Sequence, residues 1–539
     1  MKIQKMSVVI CAAIVPFLSF AQSQQPQADT FLGVQPPLKT QILFIGGADK
    51  VSTNSTYRYP AGEILAKEGH DFIGVTADKS GESLGWISVN HELNYMDNRL
   101  GDGGGMTVFR VKRDSQGLLE IMPQDLPDGR KGRYFNVDFV NTVGETGMNC
   151  GGIQGPDGRI WTAEEWFKTN NRSVFFGEPN ESAYPIAIHN VTEGMGIRDT
   201  ADVTVRSDIP GWNGKKLKKY QNLNWFVEIN PKEARAIRKQ YNWGRAGWEG
   251  GAISNDNKEV YFGNDEAPAA FFKFVATEPG KFNEGKLFFY KHRPDSQGLW
   301  VEIPNDQDLL TSNVNDYALS QGATMFLRNE WVTTDRKTGI VYWSETGRDD
   351  GGRSFLKGQK QGGTLHPVHE RLAKGQQLAT AAHSEYEDVF GRVWYYNPAT
   401  NEMGVAVYGG PGTSTQTNRD FMPHLSNPDA ITIVNIRGEN HLIICEDLNG
   451  SSHGRVPPGV RHKQCEVYIL PIKDAKEATS DQLKRLTWVP RGAEVTGAAS
   501  TPDGQSILLN MQHPDYTNPY PFNHSLTFAI HGIQDLEWE

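Results

Sequence analysis

One unit recurs along this chain: a turn built from Gly, Asp or Asn, a short strand rich in β-branched and aromatic residues, and then acidic or amide side chains. The strands of its copies span residues 85–89, 159–162, 259–262, 340–343, 393–396, 441–444 and 506–509. The abundance of turn residues, with 56 glycines, and of strand-forming aromatics, with 13 Trp and 18 Tyr, fits the same pattern. The repeat therefore predicts an all-β chain.

The spacing of the copies predicts how the strands are grouped. They lie roughly 50 to 100 residues apart, which exceeds the 40 to 50 residues of a minimal four-stranded propeller blade. Loop insertions account for the excess. We therefore expect a β-propeller with six blades and loop insertions, in which the first and last segments share a blade and close the ring.

The N-terminus predicts export. A basic start, an apolar run from Met6 to Phe20 and a small-residue exit at Ala21 are typical of a signal peptide covering residues 1–21. Residues 22–38 are rich in Gln and Pro and predict a disordered lead-in, which leaves residues 39–539 as a single β-propeller domain. No later run is long enough to span a membrane. The expected location is the periplasm or the outside of the cell.

The net charge of the chain favours binding of cations and argues against binding of nucleic acid. The net charge of -10 argues against a nucleic-acid surface, which needs clustered Lys and Arg. Equivalent strands of a propeller end on the same face, so the acids that follow each strand would converge near the axis. Such a ring would repel itself unless cations lay between the carboxylates. Oxygen ligands of this kind suit Ca²⁺.

Residues 149–166, NCGGIQGPDGRIWTAEEW, add a thiol to this picture. Cys150 lies in a glycine-rich turn, and Glu164 and Glu165 follow the next short strand, so that thiol and acids can converge on a metal. The alternative is that Cys150 is a small buried hydrophobe and that the glutamates are solvated.

The number of cysteines also bears on whether Cys150 binds a metal. Cys445 and Cys465 can pair in an oxidising compartment, which leaves Cys150 over. A thiolate is out of place around calcium and indicates a transition metal.

Several motifs together resemble the PhoX-type bacterial alkaline phosphatases, over most of the mature chain. The matching segments are residues 90–92 (NHE), 149–152 (NCGG), 162–165 (TAEE), 247–250 (GWEG), 260–266 (VYFGNDE), 328–330 (RNE), 446–447 (ED) and 494–504 (EVTGAASTPDG). The resemblance implies a β-propeller phosphomonoesterase with a cluster of iron (Fe³⁺) and calcium (Ca²⁺), acting on small phosphate esters.

The resemblance also assigns roles to residues. Cys150 and Glu249 would be iron ligands, and Arg328 would hold phosphate. Glu330 would act in catalysis beside Arg328 as well as binding metal. The other implied metal ligands are Glu92, Glu164, Asp265, Glu446 and Glu494.

The chain departs from the family pattern at Ala163, Trp248 and Asn329, where the family has cysteine, histidine and proline. The predicted signal also lacks a twin arginine.

Two other functions remain open at this stage. One is a calcium-dependent propeller hydrolase of the lactonase or phytase-like type, and the other is a non-catalytic binding propeller that metals stabilise. Cys150 is the feature that separates the first expectation from these, because a purely calcium site has no use for a thiolate. We expect a monomer that does not bind nucleic acid.

Overall fold

The structure is a computed structural model that describes residues 32–34, 36–54, 62–93, 104–144, 146–167, 202–293, 298–410, 425–447 and 464–536. The predicted signal peptide (residues 1–21) and residues 22–31 of the predicted lead-in lie outside these ranges. Among the described residues, no helix has the length and apolar content needed to cross a bilayer.

The N-terminal strands help to close the sheets of the C-terminal part of the chain. They are β1 (Gly33–Val34) and β2 (Lys39–Ile45). β1 pairs with residues 487–488, and β2 pairs with residues 526–531. The segment predicted as a disordered lead-in therefore contains a strand that takes part in a sheet.

Sheets 1 and 2 follow in chain order. The strands of sheet 1 and its small ribbon β9–β10 are β3 (Lys50–Thr53), β4 (Gly62–Leu65), β5 (His70–Ala77), β6 (Gly85–His91), β7 (Met106–Arg113), β8 (Leu119–Met122), β9 (Gln124–Asp125), β10 (Lys131–Gly132) and β11 (Tyr134–Asn136). The strands of sheet 2 and its ribbon β14–β15 are β12 (Asn149–Gln154), β13 (Ile160–Glu164), β14 (Asp202–Thr204), β15 (Lys216–Lys218), β16 (Phe226–Asn230) and β17 (Arg235–Lys239).

Sheets 3 and 4 form the middle of the chain and carry the α-helices of the part of the chain that the structure describes. Sheet 3 contains β18 (Trp248–Ile253), β19 (Glu259–Asn264), β20 (Phe272–Ala276), β21 (Gly285–Lys291) and β22 (Leu299–Ile303). The elements of sheet 4 and its surroundings are α1 (Gln307–Thr311), α2 (Val314–Ser320), β23 (Thr324–Met325), β24 (Asn329–Thr334), β25 (Val341–Glu345), α3 (Gly351–Gln361), β26 (Thr364–Leu365), α4 (Pro367–Gly375), β27 (Arg392–Asn397) and β28 (Glu402–Tyr408). One pair, Asn264 with Asn329, joins the two sheets.

Sheets 5 and 6 complete the chain. Sheet 5 contains β1 with β29 (Pro428–Ile436), β30 (Glu439–Glu446), β31 (Glu466–Pro471) and β32 (Lys484–Trp488). Sheet 6 contains β2 with β33 (Glu494–Ser500), β34 (Ser506–Gln512) and β35 (Leu526–His531). Short 3₁₀ helices span Lys219–Asn222, Tyr241–Trp243, Ile472–Asp474, Ser480–Gln482 and Ile533–Asp535.

One strand of each sheet, which we call its inner strand, lies beside the inner strands of the two neighbouring sheets. These inner strands are β5, β12, β18, β24, β29 and β33, and β33 contacts β5 again. Sheets set radially around a closed ring of inner strands have the architecture of a β-propeller, so the predicted fold is confirmed. The blade count of six remains a prediction, which this ring of inner strands supports.

Each inner strand carries a β-bulge near its beginning, at which two of its residues face one residue of the second strand. The bulged pairs are Asp71-Phe72, Cys150-Gly151, Glu249-Gly250, Glu330-Trp331, Asp429-Ala430 and Gly497-Ala498. A bulge bends its strand and re-aims a side chain. Five of the six pairs thus begin with an acidic residue or a cysteine at the same place in the sheet.

Aromatic rings fill the space between neighbouring sheets. Trp243 lies 5.0 Å from Phe262 between sheets 2 and 3, and Phe271 stacks on Trp343 at 4.3 Å between sheets 3 and 4 (centroid distances). Large buried rings bury much apolar area and prefer defined geometries. This packing fixes the sheets, and with them the bulges, relative to one another.

No disulfide joins Cys445 to Cys465 in the structure. Both side chains are buried, Cys445 within β30 and Cys465 just before β31. The structure therefore does not form the bridge that the sequence left open, and both residues pack as small buried side chains.

Candidate metal centre

The bulges of the inner strands bring acidic side chains together in one chamber. Cys150, Glu249, Glu330 and Asp429 are all buried and line a cavity of about 460 Å³. Asp71, the fifth residue of this set, is also buried and contacts Cys150. We call this cavity the acidic chamber.

The ends of the second strands supply further acids to the acidic chamber. Glu92, Glu165, Asp265 and Asp447 come directly after β6, β13, β19 and β30, and all four line the cavity. Because each second strand runs antiparallel to its inner strand, it ends where the inner strand begins. Glu494 joins them from the first residue of β33.

Cys150 lies among carboxylates rather than hydrocarbon. Its Sγ is 2.7 Å from Oε1 of Glu249 and 3.1 Å from Oδ2 of Asp71. Burial, followed by the charges of Asp71 and Glu249, raises the pKa of the Cys150 thiol well above its usual value. The interpretation of Cys150 as a plain buried hydrophobe does not fit these contacts.

The chamber carboxylates repel one another strongly. Burial, followed chiefly by neighbouring carboxylates, raises the pKa of Glu165, Glu249 and Asp429 well above the usual range. One oxygen of each of these three side chains is buried without a hydrogen-bond partner in the structure. Such oxygens have lone pairs free for a cation, which would also remove the repulsion.

Three sets of these side chains have the chemistry of metal ligands. Within each set the ligand atoms lie within 4.8 Å of one another. The sets are Asp71 with Cys150 and Glu249, Glu92 with Cys150 and Glu165, and Glu249 with Glu330 and Asp429. The two sets that share Cys150 combine sulfur with oxygen and suit a transition ion, whereas the third offers only oxygen and suits Ca²⁺.

Arg328 brings a permanent positive charge into the acidic chamber. Its Nε lies 2.7 Å from Oδ1 of Asp265, and its Nη2 lies 2.9 Å from Oε1 of Glu330 and 3.2 Å from Oδ2 of Asp447. The backbone of Arg328 is left-handed, with φ of 63°. Its planar guanidinium has the fork geometry that binds tetrahedral oxyanions in a bidentate manner.

The structure brings most of the predicted site residues together. Those that line the acidic chamber are Glu92, Cys150, Glu249, Asp265, Arg328, Glu330 and Glu494. Glu164 and Glu446 do not. The carboxylate of Glu164 forms a fully buried ion pair of 2.8 Å with Lys239, and that of Glu446 accepts backbone N–H groups of Ser426 and Glu466 at 2.8 and 3.0 Å.

The neighbours of these two residues line the chamber instead. Glu165 and Asp447 each come one position later, where the chain leaves the second strand. Side chains of successive strand residues point to opposite faces, so only one of two adjacent acids can face the chamber. The TAEE and ED motifs identify the strand ends that reach the chamber, but they do not show which of the two adjacent acids in each motif faces it.

Asp71 and Asp429 are site residues that the sequence reasoning missed. Neither follows a turn and strand in the recurring unit. Their signal is a position roughly 15 to 20 residues before a trailing acid, where Cys150 and Glu249 also lie. That spacing becomes informative only when the bulge is known.

The pair of neighbouring glutamates offers a direct test. We expect Glu165→Gln to lower metal content and activity, because its carboxylate faces the acidic chamber. We expect Glu164→Gln to lower the free energy of unfolding by about 3–5 kcal/mol, because it leaves Lys239 buried without its counter-charge, at unchanged metal content. Thermal melting and elemental analysis of both variants check this. Loss of metal in Glu164→Gln alone would restore the original assignment.

Comparison with known proteins places these observations in a family. A family model described as "Alkaline phosphatase PhoX" matches residues 130–515. This range includes Cys150, Glu249, Arg328, Glu330 and Glu494. No match was found among curated proteins.

Comparison with solved structures gives one match with a shared fold and weaker matches beside it. Pseudomonas fluorescens PhoX in complex with vanadate, a transition state analogue, matches with a TM-score of 0.65 and 17% identity over 94% of this chain and 97% of that chain. A Trichoderma reesei protein of carbohydrate-active enzyme family AA12 matches at 0.39, with 8% identity over 94% and 100% of the two chains. PQQ-bound aldose sugar dehydrogenase of Streptomyces coelicolor matches at 0.32, with 10% identity over 93% and 100%. The first match shows a shared fold, and the low scores of the others add nothing to it.

Proposed function

The chain belongs to the PhoX family of alkaline phosphatases, and we propose from this premise that it hydrolyses phosphate monoesters in the acidic chamber. One observation carries the proposal: a thiol, buried carboxylates with unpaired oxygens and a forked guanidinium meet in one cavity. The similar protein from Pseudomonas fluorescens was solved with vanadate, which mimics a phosphoryl group in transfer.

The donor set of the chamber fits the metals expected from the sequence. We assign Cys150, Glu249 and Asp71 to iron, with Glu92 and Glu330 beside them. Asp265, Asp429 and Glu494 are our candidates for calcium, and Glu165 and Asp447 take the places first given to Glu164 and Glu446. When bound, such ions supply Lewis-acid stabilisation of the phosphoryl group and an activated oxygen nucleophile.

Arg328 and Glu330 are the residues of this chain that we place at the substrate. The Arg328 guanidinium would exchange one of its three carboxylate partners for two phosphate oxygens, which gives a bidentate, charge-assisted contact. Glu330 lies 2.9 Å from Arg328 and holds the guanidinium at the chamber wall. Both side chains are largely buried, so their electrostatic effect on phosphate is stronger than in water.

The two competing functions are less well supported. A calcium-dependent lactonase or phytase-like hydrolase would leave the contacts of Cys150 with Glu249 and Asp71 unexplained. A non-catalytic propeller would leave unexplained why Arg328 is held in a left-handed conformation inside the cavity.

Turnover of defined substrates tests the proposal. Metal-replete protein is expected to release phosphate from 4-nitrophenyl phosphate. It is expected to cleave an aromatic lactone and phytate far more slowly. Substrate-free phosphate release serves as the blank. If the lactone is cleaved faster than 4-nitrophenyl phosphate, or if no substrate is cleaved, the phosphomonoesterase proposal is wrong. Faster cleavage of phytate, which is also a phosphate monoester, would instead favour the phytase-like alternative.

Removal of metal is expected to lower both stability and activity. A ligand that binds only the folded state adds about 2.7 kcal/mol at one hundred times its Kd. A calcium chelator should therefore lower the melting temperature, and Ca²⁺, but not Mg²⁺, should restore it because the larger ion accepts more carboxylate ligands. Differential scanning calorimetry measures this. A melting temperature that does not respond to the chelator would contradict structural calcium.

We further propose that the protein works outside the cytoplasm after cleavage of the predicted signal peptide, and as a monomer. Detection of the mature protein in the periplasmic or culture fraction checks the first part. Light scattering of purified protein checks the second.

A further inference from the structure

A second buried cluster of charged side chains lies beside the acidic chamber in sheet 4. It consists of Glu345 at the end of β25, His369 on α4, and Asp388 and Arg392, all of them buried. The ligand atoms of Glu345, His369 and Asp388 lie within 4.8 Å of one another, as in a metal site. Here, however, Arg392 donates from Nη1 to Glu345 and from Nη2 to Asp388, the latter at 2.6 Å. The guanidinium of Arg392 therefore supplies the positive charge that a metal ion would bring to these carboxylates.

Every contact of Glu345 fixes its carboxylate in one orientation. Oε2 accepts from Nε1 of Trp394 at 2.8 Å as well as from Arg392, and Oε1 lies 2.9 Å from Nε2 of His369. Oε1 also accepts the backbone N–H of Leu327 at 2.7 Å. The cluster thus holds the backbone N–H of Leu327, the residue immediately before Arg328.

The backbone at Arg328 needs such support. A left-handed φ of 63° is unfavourable for a residue with a β-carbon, and it persists only where the surroundings fix it. Thr346 N donates to Arg328 O at 3.0 Å, and Arg328 N donates to Glu266 O at 3.1 Å. Together with the bond from Leu327 to Glu345, these contacts direct the side chain into the acidic chamber.

We infer that Glu345 is a positioning residue, which holds the left-handed turn at Leu327-Arg328 and thereby aims the Arg328 guanidinium at bound phosphate. This inference rests on the proposed function, because it takes Arg328 to be the phosphate-binding group. Trp394, His369 and Arg392 act through Glu345 by fixing its two oxygens.

The charge state of Glu345 agrees with this role. Burial alone would raise its pKa, but His369 and Arg392 hold the pKa of Glu345 down to about 2. A depressed pKa means that the carboxylate stabilises the fold above the pKa of the unfolded chain and loses this effect only as the pH falls toward 2. Glu345 therefore accepts hydrogen bonds as an anion throughout the neutral and alkaline range.

Two tryptophans provide a matched pair of variants. Trp343 and Trp394 lie directly opposite each other on β25 and β27 and stack at a centroid distance of 5.9 Å. Trp394 donates its indole N–H to Glu345, whereas the indole N–H of Trp343 is buried without a partner in the structure. Replacement of either by phenylalanine removes similar volume, but only one loses a contact with Glu345.

We expect Trp394→Phe to raise both KM for 4-nitrophenyl phosphate and the calorimetric Kd for inorganic phosphate about three- to fivefold. Trp343→Phe should change either value less than 1.5-fold, at a similar loss in melting temperature. Equal effects of the two variants on phosphate binding would overturn the inference. If wild-type protein binds phosphate without hydrolysing the ester, the proposed function is wrong, but the comparison of the two tryptophan variants by their phosphate binding remains valid.

A double-mutant cycle gives a second readout. Glu345→Gln is expected to lower kcat/KM about tenfold in the wild-type background and less than twofold in an Arg328→Ala background, because its effect passes through Arg328. Equal losses in both backgrounds would show that Glu345 supports the fold generally and does not position Arg328. If Glu345→Gln does not fold, the tryptophan pair decides the question.

Discussion

Replacement of Cys150 by alanine is expected to remove bound iron and to lower kcat/KM for 4-nitrophenyl phosphate by at least about 10³-fold, or about 4 kcal/mol of transition-state stabilisation. The reason is the place of the sulfur, which lies between Glu249 and Asp71 at the first position of a bulge. The fold is expected to survive, because the thiol contacts carboxylates of the chamber rather than the aromatic layers between the sheets. Elemental analysis, turnover and circular dichroism measure the three effects.

Cys445→Ala is the matched control for this prediction. Cys445 is as deeply buried, lies in β30 opposite the Asp429-Ala430 bulge and does not line the acidic chamber. We expect this variant to keep its iron and its turnover. Unchanged turnover in Cys150→Ala would exclude Cys150 from the mechanism, whatever the iron content of the protein.

Replacement of Arg328 by alanine is expected to lower kcat/KM by about 10²–10³-fold, the loss typical of one preorganised electrostatic donor. The variant should keep its metal, because removal of a cation from among Asp265, Glu330 and Asp447 leaves more negative charge for bound ions. Arg328→Lys should recover only part of the loss, since an ammonium group cannot form the bidentate fork. Steady-state kinetics and inorganic phosphate inhibition measure both variants.

The outcome that contradicts this prediction is specific. If Arg328→Ala binds inorganic phosphate as tightly as the wild type, the guanidinium serves only to neutralise its three carboxylate partners. If it instead loses metal, its role is in the assembly of the chamber rather than in binding of substrate.

The repeat of turn, strand and acid predicted an all-β chain, and the spacing of its copies indicated a β-propeller, because a four-stranded blade takes about 40–50 residues. It also located the ends of the second strands, where Glu92 and Asp265 enter the chamber. The choice between Glu164 and Glu165 could not be made from sequence, since it depends on where the chain leaves β13.

The inner strands show a different limit of prediction. Asp71 contacts Cys150 and Asp429 lines the chamber from bulges that redirect their side chains, and a bulge depends on pairing with the neighbouring strand. Cys150 and Glu249 occupy the same position but were found by the chemistry of the thiol and by the family motifs. The buried partner of Glu164, Lys239, lies 75 residues away and left no local pattern.

The central claim is that segments far apart in sequence gather around bound ions with one cysteine sulfur among the ligands. X-ray absorption spectroscopy at the iron edge of metal-replete protein tests it most directly. The account predicts iron with one sulfur scatterer near 2.3 Å, the usual length of a metal–thiolate bond, and loss of that scatterer in Cys150→Ala. Iron surrounded only by oxygen and nitrogen, or protein that takes up no iron, would contradict it.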